Sequence, residues 1–197
     1  MAIRVLGIHG SPRKAGNTDK ILDKALEGSR AAGADTQAVY VRDLNMCGCI
    51  ECGGCDQTGK CVVEDDMQPI YPLLEEADII FLASPNFFYG MTAQVKALID
   101  RSQAMWSKKV LEKPPEQRKH YNSGKGFLIA IGATKGKNLF EGMKLTAKYF
   151  FDALDMSYEE GLFYWGIEKR SDLKKRPDIL EEAFEFGRKV VREELEG

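Results

Sequence analysis

The chain has 197 residues, 44% of them hydrophobic and 29% charged, with a formal net charge of −2. That size and balance fit one soluble domain, residues 1–197, with enough chain to bury a real core and no basic field for nucleic acid or an anionic membrane. No apolar run reaches the ~18 residues needed to span a bilayer, and the charged start MAIRV is not a signal peptide.

In chain order, IRVLGIHG (3–10) reads as a buried strand that stops at a glycine. Asn17 and Thr18 then offer N-cap chemistry to a helix whose apolar residues Ile21, Leu22, Ala25 and Leu26 fall at helical spacing, with Gly33 as its stop. ADTQAVYVRDL is a second strand. A cysteine-rich loop, about residues 45–64, separates it from a short helix, MQPIYPLLEEA, for which Asp65 or Asp66 is the expected N-cap. The third strand is ADIIFLASPN, followed by one amphipathic helix, TAQVKALIDRSQAMW. The basic run Lys108, Lys109, Lys113, Arg118 and Lys119 is expected to be a solvated loop. KGFLIAIGATKG gives a fourth strand and NLFEGMKLTAKYFFDALD a helix; MSYEEGLFYWG gives a fifth strand and PDILEEAFEFGRKVVREELE a closing helix. Strands alternating with helices, and lacking clean polar alternation, predict a parallel sheet with helices on both faces.

In an open parallel sheet, ligands bind beyond the carboxyl ends of the strands. Three such ends carry unusual sequences. GSPRKAGNT combines hydroxyls, an amide and helix-start N–H groups that suit an anion. It is neither a Walker loop nor GxGxxG, so it suits the terminal phosphate of a mononucleotide, or else is a well-capped turn. SPNFFYGMT sets two phenylalanines and a tyrosine where solvent is expected, fit to cover a flat ring, with Gly90 allowing close backbone approach. GATKGK reads equally as a backbone contact to a ligand or a glycine turn. His9 and His120 have no partner in the sequence and read as structural or solvated. Trp106, Trp165 and the run Tyr149–Phe150–Phe151 read as core or subunit interface.

GSPRKAGNT, SPNFFYGMTAQVKALIDR and GATKG resemble the phosphate and isoalloxazine loops of the flavodoxin-like NAD(P)H-dependent FMN reductases. CIECGGCDQTGKCVVEDDM resembles the compact cysteine motif of the iron–sulfur flavoproteins in that superfamily. The resemblance implies a flavodoxin-like three-layer α/β sandwich with a five-stranded parallel sheet of order 2-1-3-4-5, bound FMN, a [4Fe–4S] cluster and a homodimer or homotetramer. It further implies that cluster and flavin of neighbouring subunits approach each other. It places Ser11, Arg13, Asn17 and Thr18 at the phosphate, and Pro85, Asn86, Phe87, Phe88, Tyr89 and Gly90 along one side of the ring. Ala133, Thr134, Lys135 and Gly136 fall along another. Arg13 and Lys14 read equally as counter-charges to the phosphate or as solvated loop residues.

All five cysteines lie between Cys47 and Cys61. In the cytoplasm, the expected location, thiols stay reduced, so such clustering points to a metal or redox site rather than a disulfide framework. Cys49, Cys52, Cys55 and Cys61 offer four thiolates, as a four-iron cubane requires, and Gly48, Gly53, Gly54 and Gly59 let the backbone wrap them. Zinc and a thiol–disulfide site remain alternatives, although zinc sites more often split two CxxC pairs by a longer stretch. A rival set replaces Cys49 with Cys47. Cys49 is preferred because its even spacing follows the family pattern, which leaves Cys47 as a buried free thiol.

The function this implies is electron transfer from a one-electron donor, such as a ferredoxin, through an FMN protein to a small-molecule acceptor, with no catalytic residue beyond the cofactors. One alternative is an NAD(P)H-dependent FMN or quinone reductase without an essential cluster. Another is a non-catalytic electron carrier or zinc-bearing interaction module.

Overall fold

Five parallel strands form one sheet in the computed structural model, which describes residues 2–196. They are β1 (Arg4–His9), β2 (Asp35–Tyr40), β3 (Ile79–Pro85), β4 (Lys125–Gly132) and β5 (Ser157–Trp165), in the order β2-β1-β3-β4-β5. This is the order that the resemblance implied. The β3 and β4 strands are buried almost from end to end, which is why their sequences IIFLASP and KGFLIAIG carry no polar alternation. By contrast β2, at an edge, is largely exposed and carries Asp35, Thr36 and Gln37.

The strand period of two divides the core. Val5, Ile79, Phe81 and Ile129 face one layer, with Ile21, Leu22 and Ala25 of α1 (Asn17–Ala31) and Ile179, Ala183 and Val190 of α6 (Pro177–Glu196). Leu6, Ile8, Ile80 and Leu82 face the other, against α2 (Ile70–Glu76), α3 (Ala93–Arg101), α4 (Gln103–Glu112) and α5 (Glu141–Ala153).

Local departures from the sequence reading have local causes. The second strand ends at Tyr40, and Val41–Asp43 form a 3-10 turn. The helix expected from Thr92 to Trp106 breaks at Ser102, whose hydroxyl donates back to Leu98 O at 3.2 Å and bends the chain. Asn17 does not cap α1. Gly16 occupies that position, and Asn17 Nδ2 donates instead to Lys169 O at 2.9 Å. Asp65 Oδ1 accepts the Met67 N–H at 3.0 Å in the turn before α2, which begins after Pro69 without a side-chain cap.

The basic run is not simply solvated. Lys109 is 4% exposed and its ammonium donates to Asp152 O and Oδ1 at 2.7 and 3.1 Å. Lys113 pairs with Asp155 and Lys119 with Asp152, which ties the 113–124 segment to the end of α5. The two aspartates, distant in sequence, turn a charge run into a buried network. No helix among the described residues is long and apolar enough to cross a membrane.

Candidate functional site

The carboxyl ends of β1, β3 and β4 open into a cleft of about 200 Å³. Ser11, Arg13, Asn17, Thr18, Pro85, Asn86, Phe87 and Ala133 line it, so the topology brings together members of all three loops singled out above. The remaining ring candidates Phe88, Tyr89, Gly90, Thr134, Lys135 and Gly136 lie outside this lining.

The loop from Gly10 to Gly16 is held against the sheet edge. A Cβ on Gly10 would sit 2.2 Å from Val95 Cγ2 and 2.5 Å from Ala83 O, so only glycine lets the backbone pass there. Gly10 N–H donates to Ala83 O at 2.8 Å, and Thr92, the N-cap of α3, donates its hydroxyl to Gly10 O at 2.8 Å. Ser11 Oγ accepts the Arg13 N–H at 3.2 Å, closing the turn. The start of α1 has no side-chain cap, which leaves its N–H groups and positive dipole end available to an anion. Asn17 Oδ1 is buried without a partner among the described residues, an acceptor suited to a hydroxyl such as a ribityl chain carries. A phosphorylated flavin fits these residues.

Behind the loop lies a polar network that the sequence did not announce. His9, fully buried, stacks on Tyr40 at 4.2 Å and lies with Nδ1 3.3 Å from Asp19 Oδ1 and Nε2 3.6 Å from Asp23 Oδ1. Arg42 donates to Asp19 and to Ser11 O at 3.1 Å. Burial works to raise the Asp19 carboxyl, but the hydrogen bond to His9 and the Arg42 charge outweigh it and hold the group below its ordinary value. The partners come from the next strand and the next turn of helix, so no motif marks them.

Asn86 positions the aromatic turn. Its N–H donates to Ile131 O at 2.7 Å, its Nδ2 to Leu139 O at 2.6 Å, and its Oδ1 accepts the Tyr89 N–H at 3.1 Å. Phe87 and Gly90 exchange backbone hydrogen bonds of 2.9 Å, which forces Phe88 (φ 52°) and Tyr89 (φ 63°) into the left-handed region. Gly90 is thus not the residue with the unusual backbone. Two non-glycine residues there cost roughly 1–3 kcal/mol each. Phe88 is fully exposed, with Phe87 and Tyr89 about half exposed, as expected for side chains meant to meet something outside the core.

The cysteine loop forms a second concavity, of about 600 Å³. Cys49, Cys52, Cys55 and Cys61 all line it, and Cys47 does not. Cys47 is exposed rather than buried, because it precedes the wrap. From Leu44 to Pro69 the chain makes only turns and irregular structure. Gly59 (φ +68°) lies so close to α4 that a Cβ would approach Lys108 Cα to 2.8 Å. Glu51 N–H donates to Cys49 Sγ at 3.4 Å, and Cys55 Sγ lies 3.5 Å from Ser107 Oγ. Burial works to raise the Cys61 thiol, but the Val63 N–H, the Tyr71 hydroxyl and the Arg101 guanidinium together lower it. Among the described residues no three ligating side chains converge on one point as a single metal ion requires. Cys49, Cys52, Cys55 and Cys61 are the soft donor type that an iron–sulfur cluster takes.

Arg101 was missed in the sequence, yet it left a signal. It continues the buried face Val95–Leu98 of α3, where an arginine stands out of pattern. The cleft also recruits Ile167 and Glu168, which follow β5 and carried no signal. Because α3 starts at Thr92, against the phosphate loop, and ends at Arg101, against the cysteine cavity, one nine-residue helix links the two sites. Such a helix is about 14 Å long.

Residues 3–156 match the family model described as NADPH-dependent FMN reductase. An iron–sulfur flavoprotein of Archaeoglobus fulgidus is 41% identical over 99 residues, 50% of this chain and 45% of that protein. One of Methanosarcina thermophila is 40% identical over 100 residues, 51% of this chain and 52% of that protein. The chain thus spans about half the length of these curated relatives. Among solved structures, an NAD(P)H:quinone oxidoreductase from Methanothermobacter marburgensis superposes with a TM-score of 0.70 at 14% identity, covering 95% of this chain and 96% of that one. This last likeness is one of fold.

Proposed function

The chain belongs to the NADPH-dependent FMN reductase family, and from that premise we propose that it is an FMN-dependent oxidoreductase whose flavin is coupled to a [4Fe–4S] cluster. Its reaction is transfer of electrons from a one-electron donor of ferredoxin type to a small acceptor. The observation that carries this reading is the sorting of the thiols: the four cysteines with cluster spacing line one cavity and the fifth does not. The iron–sulfur names of the relatives support it.

Bound FMN supplies one- and two-electron chemistry at a flat ring, and a cubane supplies single electrons. The protein's part is to hold and orient. Ser11 and the first N–H groups of α1 would take the phosphate, with Arg13 at the mouth of the cleft as counter-charge. Asn17 Oδ1 would accept from the ribityl chain. Asn86 fixes the turn from which Phe87, Phe88 and Tyr89 would cover the ring, while Ala133, Thr134, Lys135 and Gly136 would bound it from the β4 side. Cys49, Cys52, Cys55 and Cys61 would ligate the cluster. The exposed Phe88, Tyr149 and Trp165 suit burial in a homodimer or homotetramer.

The test is iron, sulfide and FMN content per chain in protein made and kept without oxygen. Four irons, four sulfides and one FMN per chain, about the ratio a single cubane requires, support the proposal. A second reading is favoured by the family's own description: NADPH reduces the flavin directly and the cluster is dispensable. Flavin without iron, bleached by NADPH, would establish that reading. Zinc in place of iron would establish an interaction module.

A further inference from the structure

We propose that Arg101 is the positioning residue of the cysteine site: it closes the loop that carries the thiols, and its buried charge raises the reduction potential of the cluster held there. The second half rests on the function proposed above; the first does not.

The Arg101 side chain is 1% exposed, yet none of its hydrogen-bond partners belongs to its own helix. Nη1 donates to Cys47 O at 3.3 Å and to Asp65 Oδ2 at 2.5 Å; Nη2 donates to Val63 O at 3.2 Å and to Asp65 Oδ1 at 3.1 Å. Cys47 opens the loop, and Val63 and Asp65 end it. One planar fork therefore pins both ends of a segment that has no regular secondary structure of its own. Lysine, with a single ammonium, cannot make the same four contacts. Fixing the loop's ends removes much of the entropy that four separate thiols would lose on gathering round one group.

The electrostatic half follows from what lines the cavity. Beside the four thiols stand the carboxylates of Glu51, Asp56 and Asp100, and among the described residues Arg101 is the one cation in the lining. Asp65, its partner, is not part of that lining. A buried cation favours whichever redox state of its neighbour is more negative, which is the reduced one. Its removal therefore makes the group harder to reduce.

The experiment uses the full chain, prepared without oxygen, as wild type and as Arg101→Gln, Arg101→Lys and Asp65→Asn. FMN per chain reports that the fold survives. In Arg101→Gln, iron loss to a chelator is expected to be at least about tenfold faster, and the reduced-to-oxidised ratio at fixed potential about tenfold lower, a shift of about 59 mV for one electron. Arg101→Lys is expected to keep the wild-type potential but not the retention, and Asp65→Asn likewise to weaken retention without lowering the potential. Equal potentials in Arg101→Gln and Arg101→Lys would overturn the electrostatic role. A wild type without iron or sulfide would sink the cluster, and the electrostatic half with it, but not the clamp. The clamp is read in metal-free protein by limited proteolysis between residues 47 and 65. Cleavage at least about tenfold faster in Asp65→Asn and Arg101→Lys supports it; rates equal to wild type would overturn it.

Discussion

The flavin cleft and the cysteine cavity sit at opposite ends of α3 and are built on different principles. The cleft is assembled from the ends of buried strands, and its loop is held by Gly10, Thr92, Ser11 and Arg42 through hydrogen bonds within the protein. The cysteine cavity lies in a stretch of turns, with two of its four lining thiols exposed and two partly covered, and its ends are tied by the Arg101–Asp65 fork, by Asn45 N–H on Asp66 and by the Gln68 amide on Cys61 O and Val63 O. The first is anchored to the sheet and shares its stability. The second lies on a loop without secondary structure, the kind of segment that opens locally at lower cost.

Removing a thiol should test this contrast most sharply. Cys52→Ala is expected to lose nearly all iron and sulfide while keeping one FMN per chain, whereas Cys47→Ala keeps both, as read by elemental and flavin analysis. If Cys47→Ala loses the iron and Cys49→Ala does not, the rival ligand set is correct.

Next come the two carboxylates that face arginines. Asp19→Asn leaves Arg42 and His9 short of their buried partner and should cost about 3 kcal/mol of global stability at pH 7, measured by urea unfolding. Because Asp19 is held below its ordinary carboxylate value in the folded protein, its contribution is complete above that ordinary value and is lost as pH falls through the lowered folded value. The gap between wild type and Asp19→Asn should therefore close in acid. Asp65→Asn also strips a buried arginine of its partner, but in a loop without secondary structure, so its loss should appear first as local opening of the 47–65 amides in hydrogen exchange, ahead of any fall in the global transition. A large global loss in Asp65→Asn would erase the distinction between the two sites.

Gly10→Ala places a methyl against Val95 and the Ala83 carbonyl and should cost about 1–3 kcal/mol together with weaker flavin binding. A Tm fall of about 2–4 °C per kcal/mol reports it. The smallest effect expected is that of Asn17→Ala, about 1 kcal/mol from the lost bond to Lys169 O. FMN affinity should fall with it, and iron content should not change.

Much of this architecture was legible in the chain itself. Apolar runs of strand length ending in glycine or proline give β1, β3 and β4, the more polar edge strands β2 and β5 are read from their place between helices, and α6 begins and ends where its sequence pattern does. Cys49 is preferred over Cys47 because its spacing follows the family pattern, and Cys49, Cys52, Cys55 and Cys61 line one cavity. The loops that meet in the cleft were legible from topology: parallel strands joined by helices must bring their carboxyl ends to one edge.

Only the tertiary structure decided who faces whom across the layers. It put Asp19 and Asp23 on either side of His9, gave Arg101 to the two ends of the cysteine loop, and sank Lys109 between Asp152 and Asp155. Each partnership joins residues from different elements, 10 positions apart for His9 and Asp19 and 43 for Lys109 and Asp152. A buried charge is tolerated only where the fold supplies its counterpart, and periodicity records which face a residue occupies, not what awaits it there.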